Sequence, residues 1–148
     1  MCLATTDHPN HVTLHHPATQ HGPGMTTIPQ SLDVAREAAA ALDAGDVKRL
    51  LAMVTDDVRL QFGSQEPVVG SEAFTAALEA SLASVAGFRH EIREAWDVGD
   101  AVVLEMTVHY RRHDGSEISL PCCNVFRLSG GRIADYRVYM DIAPVYAN

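Results

Sequence analysis

The chain is predicted to fold as an α+β domain in which helices cover one face of a curved sheet. Three observations predict it. Between residues 31 and 82 apolar residues recur at helical spacing in three short segments. From Gly87 onward they alternate instead, in four runs. Those runs are separated by Gly99-Asp100, Asp114-Gly115 and Gly130-Gly131, all good hairpin chemistry. Helices grouped ahead of a long antiparallel meander argue for segregated layers rather than alternating βα units.

The 148 residues suffice for one hydrophobic core. No internal repeat or linker argues for a second domain. A net charge of -8 without a basic run speaks against nucleic acid or an anionic membrane as partner. No apolar run reaches transmembrane length, and the N-terminus shows no signal-peptide core. The cysteines are Cys2, Cys122 and Cys123. Adjacent residues of a strand point to opposite faces, poor geometry for a disulfide, so a reducing cytoplasm is the expected location.

Residues 1–28 are unlike the rest. They carry His8, His11, His15, His16 and His21 with Pro9, Pro17 and Pro23, and no hydrophobic period. A His-rich tract can bind zinc or nickel. Without a second ligand set at fixed spacing, residues 1–28 are read as a disordered His/Pro-rich tail and residues 29–148 as the folded domain. Met25, after a Gly-Pro-Gly segment, is an alternative start to Met1.

The first helix starts at Ser31, with Leu32, Ala35, Ala39 and Leu42 on one face and Gly45 suited to the position just past its end. Asp46 caps a second helix over residues 47–54. Residues 57–62 alternate and form a strand ended by Gly63. Ser71 caps a third helix carrying Phe74, Ala77, Leu78 and Leu82. Four strands follow, over residues 88–98, 101–112, 117–128 and 132–141.

Side chains alternate across a strand, so each run divides into two rows. In the second long strand Val102, Leu104, Met106, Val108 and Tyr110 form the apolar row and should face inward. Glu105, Thr107 and His109 then face outward; a register slip of one residue would reverse this. Inward rows on the next two strands are Ile118, Leu120, Cys122, Asn124, Phe126 and Leu128, then Tyr136, Val138 and Met140. The first long strand gives Phe88, His90, Ile92, Glu94 and Trp96 as one row, unless a bulge swaps part of it.

With these rows in hand, the chain resembles the nuclear-transport-factor-2-like superfamily, which includes ketosteroid isomerase, limonene-epoxide hydrolase and SnoaL-like polyketide cyclases. The resemblance spans residues 31–146. It is carried by Leu42-Asp43-Ala44-Gly45-Asp46, Asp56-Asp57-Val58, Val69-Gly70, and the stretch from Asn124-Val125-Phe126 through Gly131-Arg132-Ile133 to Tyr139-Met140-Asp141. It implies a cone: a curved antiparallel sheet wrapped around the N-terminal helices, a cystatin-like α+β barrel. It also implies a small-molecule pocket inside the cone.

The catalytic residues of those relatives do not carry over. The aspartate base of ketosteroid isomerase resembles a residue at the place of Phe62. The Tyr and Asn that hold water in limonene-epoxide hydrolase match Leu60 and Phe62. Its Arg and first Asp fall on Met106 and Val108. Its second Asp, like the SnoaL-type acid of the last strand, falls on Val138. Each of these positions is apolar here, so acid–base chemistry of the familiar kinds loses its residues.

The polar inward residues that remain are Asn124 and Tyr136. They suit the polarisation of a carbonyl or enol, or alternatively the satisfaction of buried backbone groups. Leu60, Phe62, Trp96, Met106, Val108, Tyr110, Cys122, Phe126, Val138 and Met140 are expected to enclose a substrate. Asp141 matches an acid common in the superfamily and is a weak catalytic candidate; capping the turn at Ile142-Ala143 or pairing with Arg137 are the simpler roles. His90 and Glu94 lie about 13 Å apart along a strand at ~3.3 Å per residue, too far for a direct pair, and are read as rim residues. Cys122 lacks an inward base and reads as an inert thiol.

No metal-ligand set, phosphate loop or dinucleotide fingerprint stands in residues 29–148, so no cofactor is expected. Three functions stay open. The first is an isomerase or cyclase for an apolar polyketide- or steroid-like substrate, working by shape and neutral hydrogen-bond donors. The second is a catalytically inactive hydrophobic-ligand binder. The third is a dimeric association domain. The outward row of Glu105, His109, Arg127, Arg137, Tyr139 and Asp141 mixes both charge signs with an aromatic, and the resemblance implies a homodimer through that face.

Overall fold

The structure, a computed structural model, describes residues 31–148. The His/Pro-rich tail, Cys2 and Met25 lie outside the described residues. The elements run α1 (Ser31–Asp43), α2 (Val47–Leu51), β1 (Val54–Phe62), β2 (Val68–Val69), α3 (Ser71–Ala83), β3 (Gly87–Asp97), β4 (Val102–Arg111), β5 (Glu117–Ser129), β6 (Arg132–Tyr139) and α4 (Ala143–Tyr146). They form one curved, open sheet in the order β2-β1-β6-β5-β4-β3 with the longer helices on one face. The long meander is antiparallel throughout. Its last strand also pairs in parallel with β1, from Val54↔Ile133 to Phe62↔Val138.

Helix α1 is more deeply seated than its expected face: Val34, Ala38 and Ala41 are buried as well as Ala35 and Ala39. Small residues let its backbone lie close to β3 and β4. It ends in a glycine cap. The Gly45 N–H donates to Leu42 O at 2.9 Å and the Asp46 N–H to Ala41 O at 2.9 Å, with Gly45 at φ +65°. Asp46 then starts α2, its Oδ1 accepting from the Arg49 N–H at 3.0 Å.

Several expected boundaries move. Helix α2 stops at Leu51 rather than Val54, because Val54 already belongs to β1, where it pairs with Ile133. The residue preceding α3 is Gly70, at φ 94°; Ser71 is the first helical residue and caps nothing. Strand β6 ends at Tyr139. Asp141 then turns the chain, its Oδ1 accepting from the Ala143 N–H at 3.0 Å, into the short α4. Arg112 holds α4 in place, donating to Val145 O at 2.8 Å and to Pro144 O at 2.6 Å.

The apolar rows face the helices as expected on β4, β5 and β6. Val102, Leu104, Met106 and Val108 are buried, and Glu105 is exposed. His109, on the same face as Glu105, pairs with the outer-face groups Glu91 (2.7 Å) and Ser119 (2.7 Å). Strand β3 carries the bulge. Its register against β4 shifts between Ile92 and Glu94, with Arg93 left over. Before it, Phe88, His90 and Ile92 face inward. After it, Ala95 packs against the core, while Glu94 and Trp96 stand opposite Glu105 and Val103 on the outer face. The expected inward place of Trp96 is therefore corrected: it is 44% exposed.

Candidate functional site

A cavity of about 360 Å³ opens between α3 and the concave side of the sheet. Cross-strand register explains how its wall is assembled, because directly opposed residues share a face. One row reads Leu60, Tyr136, Phe126 and Val102 across β1, β6, β5 and β4. The next reads Phe62, Val138, Asn124 and Leu104. In each row the members nearer β1 border the cavity and those nearer β4 lie in the closed core.

That division sorts the expected residues. Leu60, Phe62, Val108, Tyr110, Cys122, Val138 and Met140 line the cavity, as do Asn124 and Tyr136. Met106 and Phe126 do not; they are 2% and 1% exposed and belong to the packed core. Trp96 is turned away by the bulge, and Asp141 is an exposed turn residue outside the wall.

Three polar groups on the sheet side of the wall form a chain, while Gln65, Glu66, Ser81 and Ser84 border the cavity elsewhere. The Cys122 thiol donates to Asn124 Oδ1 at 3.4 Å, and Asn124 Nδ2 donates to the Tyr136 hydroxyl at 3.4 Å. Asn124 thereby satisfies both ends of its amide inside an apolar wall. The Tyr136 oxygen is an acceptor in this chain, leaving its own proton to be donated. Its ring is clamped by Phe126, edge-on at 4.5 Å between centroids. Burial holds the Tyr136 hydroxyl well above the usual tyrosine range, with smaller repulsions from Cys122, Tyr110 and Asp43, so it stays a neutral donor. Burial likewise pushes the Cys122 thiol up to about 12, which makes it a poor nucleophile. Tyr110, also raised by burial, donates to Met140 Sδ at 3.4 Å.

One ionisable pair was passed over by sequence reasoning. His90 lines the cavity, and its Nδ1 lies 2.6 Å from Oδ1 of Asp43, at the end of α1. The same carboxylate accepts the His90 backbone N–H, at 2.9 and 3.1 Å. The His90 side chain is 9% exposed and that of Asp43 26%. Glu94, the partner weighed for His90 along the strand, lies on the far side of the sheet. A signal was present: Asp43 is an acid in the last turn of a helix, where the macrodipole favours a cation.

Among the described residues no group of three or more His, Cys, Asp or Glu side chains gathers as a metal site would require. No helix there is long and apolar enough to cross a membrane.

Comparison with known proteins agrees with this geometry. Residues 35–136 match the family model of the SnoaL-like domain. No curated protein sequence matches significantly. An LEH-like epoxide hydrolase from M. tuberculosis superposes with a TM-score of 0.68 at 22% identity, covering 78% of this chain and 86% of that one. An NTF2-like protein of unknown function from Burkholderia pseudomallei K96243 gives 0.72 at 20% identity, over 78% and 93%. A protein from Jannaschia sp. CCS1, provisionally named a SnoaL-like polyketide cyclase, gives 0.73 at 18% identity, over 84% and 95%. At these identities the likeness is one of fold.

Proposed function

The chain belongs to the SnoaL-like family, within the NTF2-like superfamily, and from that premise we propose that it isomerises or cyclises an apolar small molecule of polyketide- or steroid-like character. The observation that carries this reading is the buried Tyr136 hydroxyl, accepting from Asn124 and bordering the cavity. A neutral donor fixed in an apolar wall strengthens its bond to a carbonyl oxygen as negative charge develops there, and needs no reorganisation to do so. The cavity, about 360 Å³, falls within the range of ordinary ligand sites. Epoxide hydrolysis of the acid-assisted kind is not proposed. The positions matched to its acids and water-holding groups are Leu60, Phe62, Met106, Val108 and Val138.

Mass spectrometry of the ligand before and after incubation tests the reading, with Tyr136→Phe and Asn124→Ala as variants. Tyr136→Phe is expected to lower turnover about 100-fold, with a smaller loss for Asn124→Ala. Unchanged turnover in both variants would refute the assignment. A ligand that binds and leaves unaltered would make the protein a binder.

We further propose a homodimer through the outer sheet face, and a cytoplasmic setting. The exposed aromatics Trp96 and Tyr139 support the first, together with Glu94 directly opposite Glu105, a like-charge pair that a partner's cation would relieve. Free Cys122 and Cys123 in β5 support the second.

A further inference from the structure

The cavity holds donors on β5 and β6, and on its β3 side it holds His90. We propose that His90 is the general base of this cavity and that Asp43 is its positioning residue, so that the ligand is a carbon acid: an apolar carbonyl compound with an acidic hydrogen on the neighbouring carbon. This rests on the reading of the cavity as a small-molecule site and adds the proton acceptor which that reading lacks.

Geometry carries the inference. A carboxylate only accepts hydrogen bonds, so the 2.6 Å contact places the ring hydrogen on Nδ1. In the neutral ring Nε2 is then the nitrogen with a free lone pair, and it makes no hydrogen bond to any described residue. The ring is fixed from both sides: Asp43 holds Nδ1 and the backbone N–H, and Phe88 packs edge to face at 5.5 Å and 85°. The neighbours of His90 in the cavity wall are apolar, with Val108 its direct cross-strand partner. This is how a base is oriented in a ligand site: one nitrogen held by a carboxylate, the other presented to the ligand.

A purely structural pin between α1 and β3 would use the bonds from Asp43 to the His90 backbone. The further bond to the ring also orients the imidazole, which such a pin does not require.

The step balances without a co-reactant. Nε2 takes the hydrogen from the carbon beside the carbonyl. The C–H electron pair forms the new C=C bond, and the carbonyl π pair moves to oxygen, where Tyr136 donates. Return of the proton from His90 to a different carbon completes an isomerisation; alternatively the enolate carbon attacks a second carbonyl, whose π pair moves to its oxygen and takes the proton back from Nε2, completing a ring closure.

The test uses 5-nitrobenzisoxazole, a small apolar carbon acid, with the full chain. Nε2 would take its ring C–H hydrogen, the C–H pair would close the nitrile, and the N–O bond would break to a coloured phenolate. Wild-type protein is expected to accelerate this over buffer. His90→Gln is expected to lose about 100-fold or more while still binding the probe by saturation-transfer NMR. Asp43→Asn is expected to lower kcat with KM little changed and to move the His90 ¹⁵N shifts away from the Nδ1–H tautomer. Asp43→Glu should recover part of the rate. These two readouts are ones a loosened helix–strand pin would not produce. If the wild type binds the probe without accelerating its opening, or if His90→Gln or Asp43→Asn matches it, the base assignment falls and the cavity reading survives. If the probe does not bind, both fall.

Discussion

Tyr136 and Cys122 are polar groups in an apolar wall, and the energetic consequence is a dependence of stability on alkali. In the unfolded chain their groups titrate near ~10 and ~8.5. In the folded chain burial raises both, so the native state holds its protons longer than the unfolded one. A raised folded value contributes stability that is complete below the unfolded value and is lost as pH rises through the folded one. Stability is therefore expected to be level through neutrality and to fall above about pH 9. Tyr136→Phe removes one titrating group. Its denaturation midpoint should fall less steeply between pH 9 and 11 than that of the wild type, whatever its starting value. Parallel slopes would show that Tyr136 is not protonated by burial. Asn124 and Tyr136 were legible as inward polar residues because strict alternation is a strong signal. The pairing of His90 with Asp43 was not, since it joins a helix end to a strand 47 residues away and no local period reports it. An acid at a helix C-terminus and a histidine between Phe88 and Ile92 on one face of a strand were the two halves of a clue that only the fold joins.

Helix α1 has a precise end, and the site depends on it. Gly45 is the C′ residue of a doubly bonded cap, at φ +65°, with nothing within 4 Å of where a Cβ would stand. The cost of Gly45→Ala is thus conformational rather than steric. It is expected to be about 1 kcal/mol, read as a lowered midpoint in chemical denaturation. A midpoint equal to that of the wild type would mean that the cap is not under strain. Asp43 lies two residues upstream, so the same turn aims its carboxylate at His90. The boundaries that sequence reasoning missed have a common cause. Val54 has an apolar side chain at helical spacing, but its pairing with Ile133 claims it for β1. Strand β3 keeps its alternation in the sequence through Trp96, yet the extra residue at Arg93 reverses the faces beyond it. In both places long-range pairing overrides the local pattern.

At the scale of the whole molecule, the two faces of the sheet differ in character. The concave side holds the cavity, and the convex side presents Trp96 and Tyr139 among charges of both signs, with Arg137 held by Asp135. Light scattering at micromolar concentration is expected to give twice the chain mass, with Trp96→Glu lowering it; a monomer mass for the wild type would sink the dimer. The hairpin turns and the helices-first order made the fold class legible. The parallel contact between β1 and β6 was invisible, because neither strand's pattern names its neighbour. That contact also governs the order of events on the ribosome. Strand β1 is made early, but β6, which joins it to the meander, is nearly the last segment synthesised, so β1 and the helices packed on it must wait with one strand edge unpaired until β6 emerges. A chain cut short before Arg132 would present that waiting state permanently to chaperones and proteases.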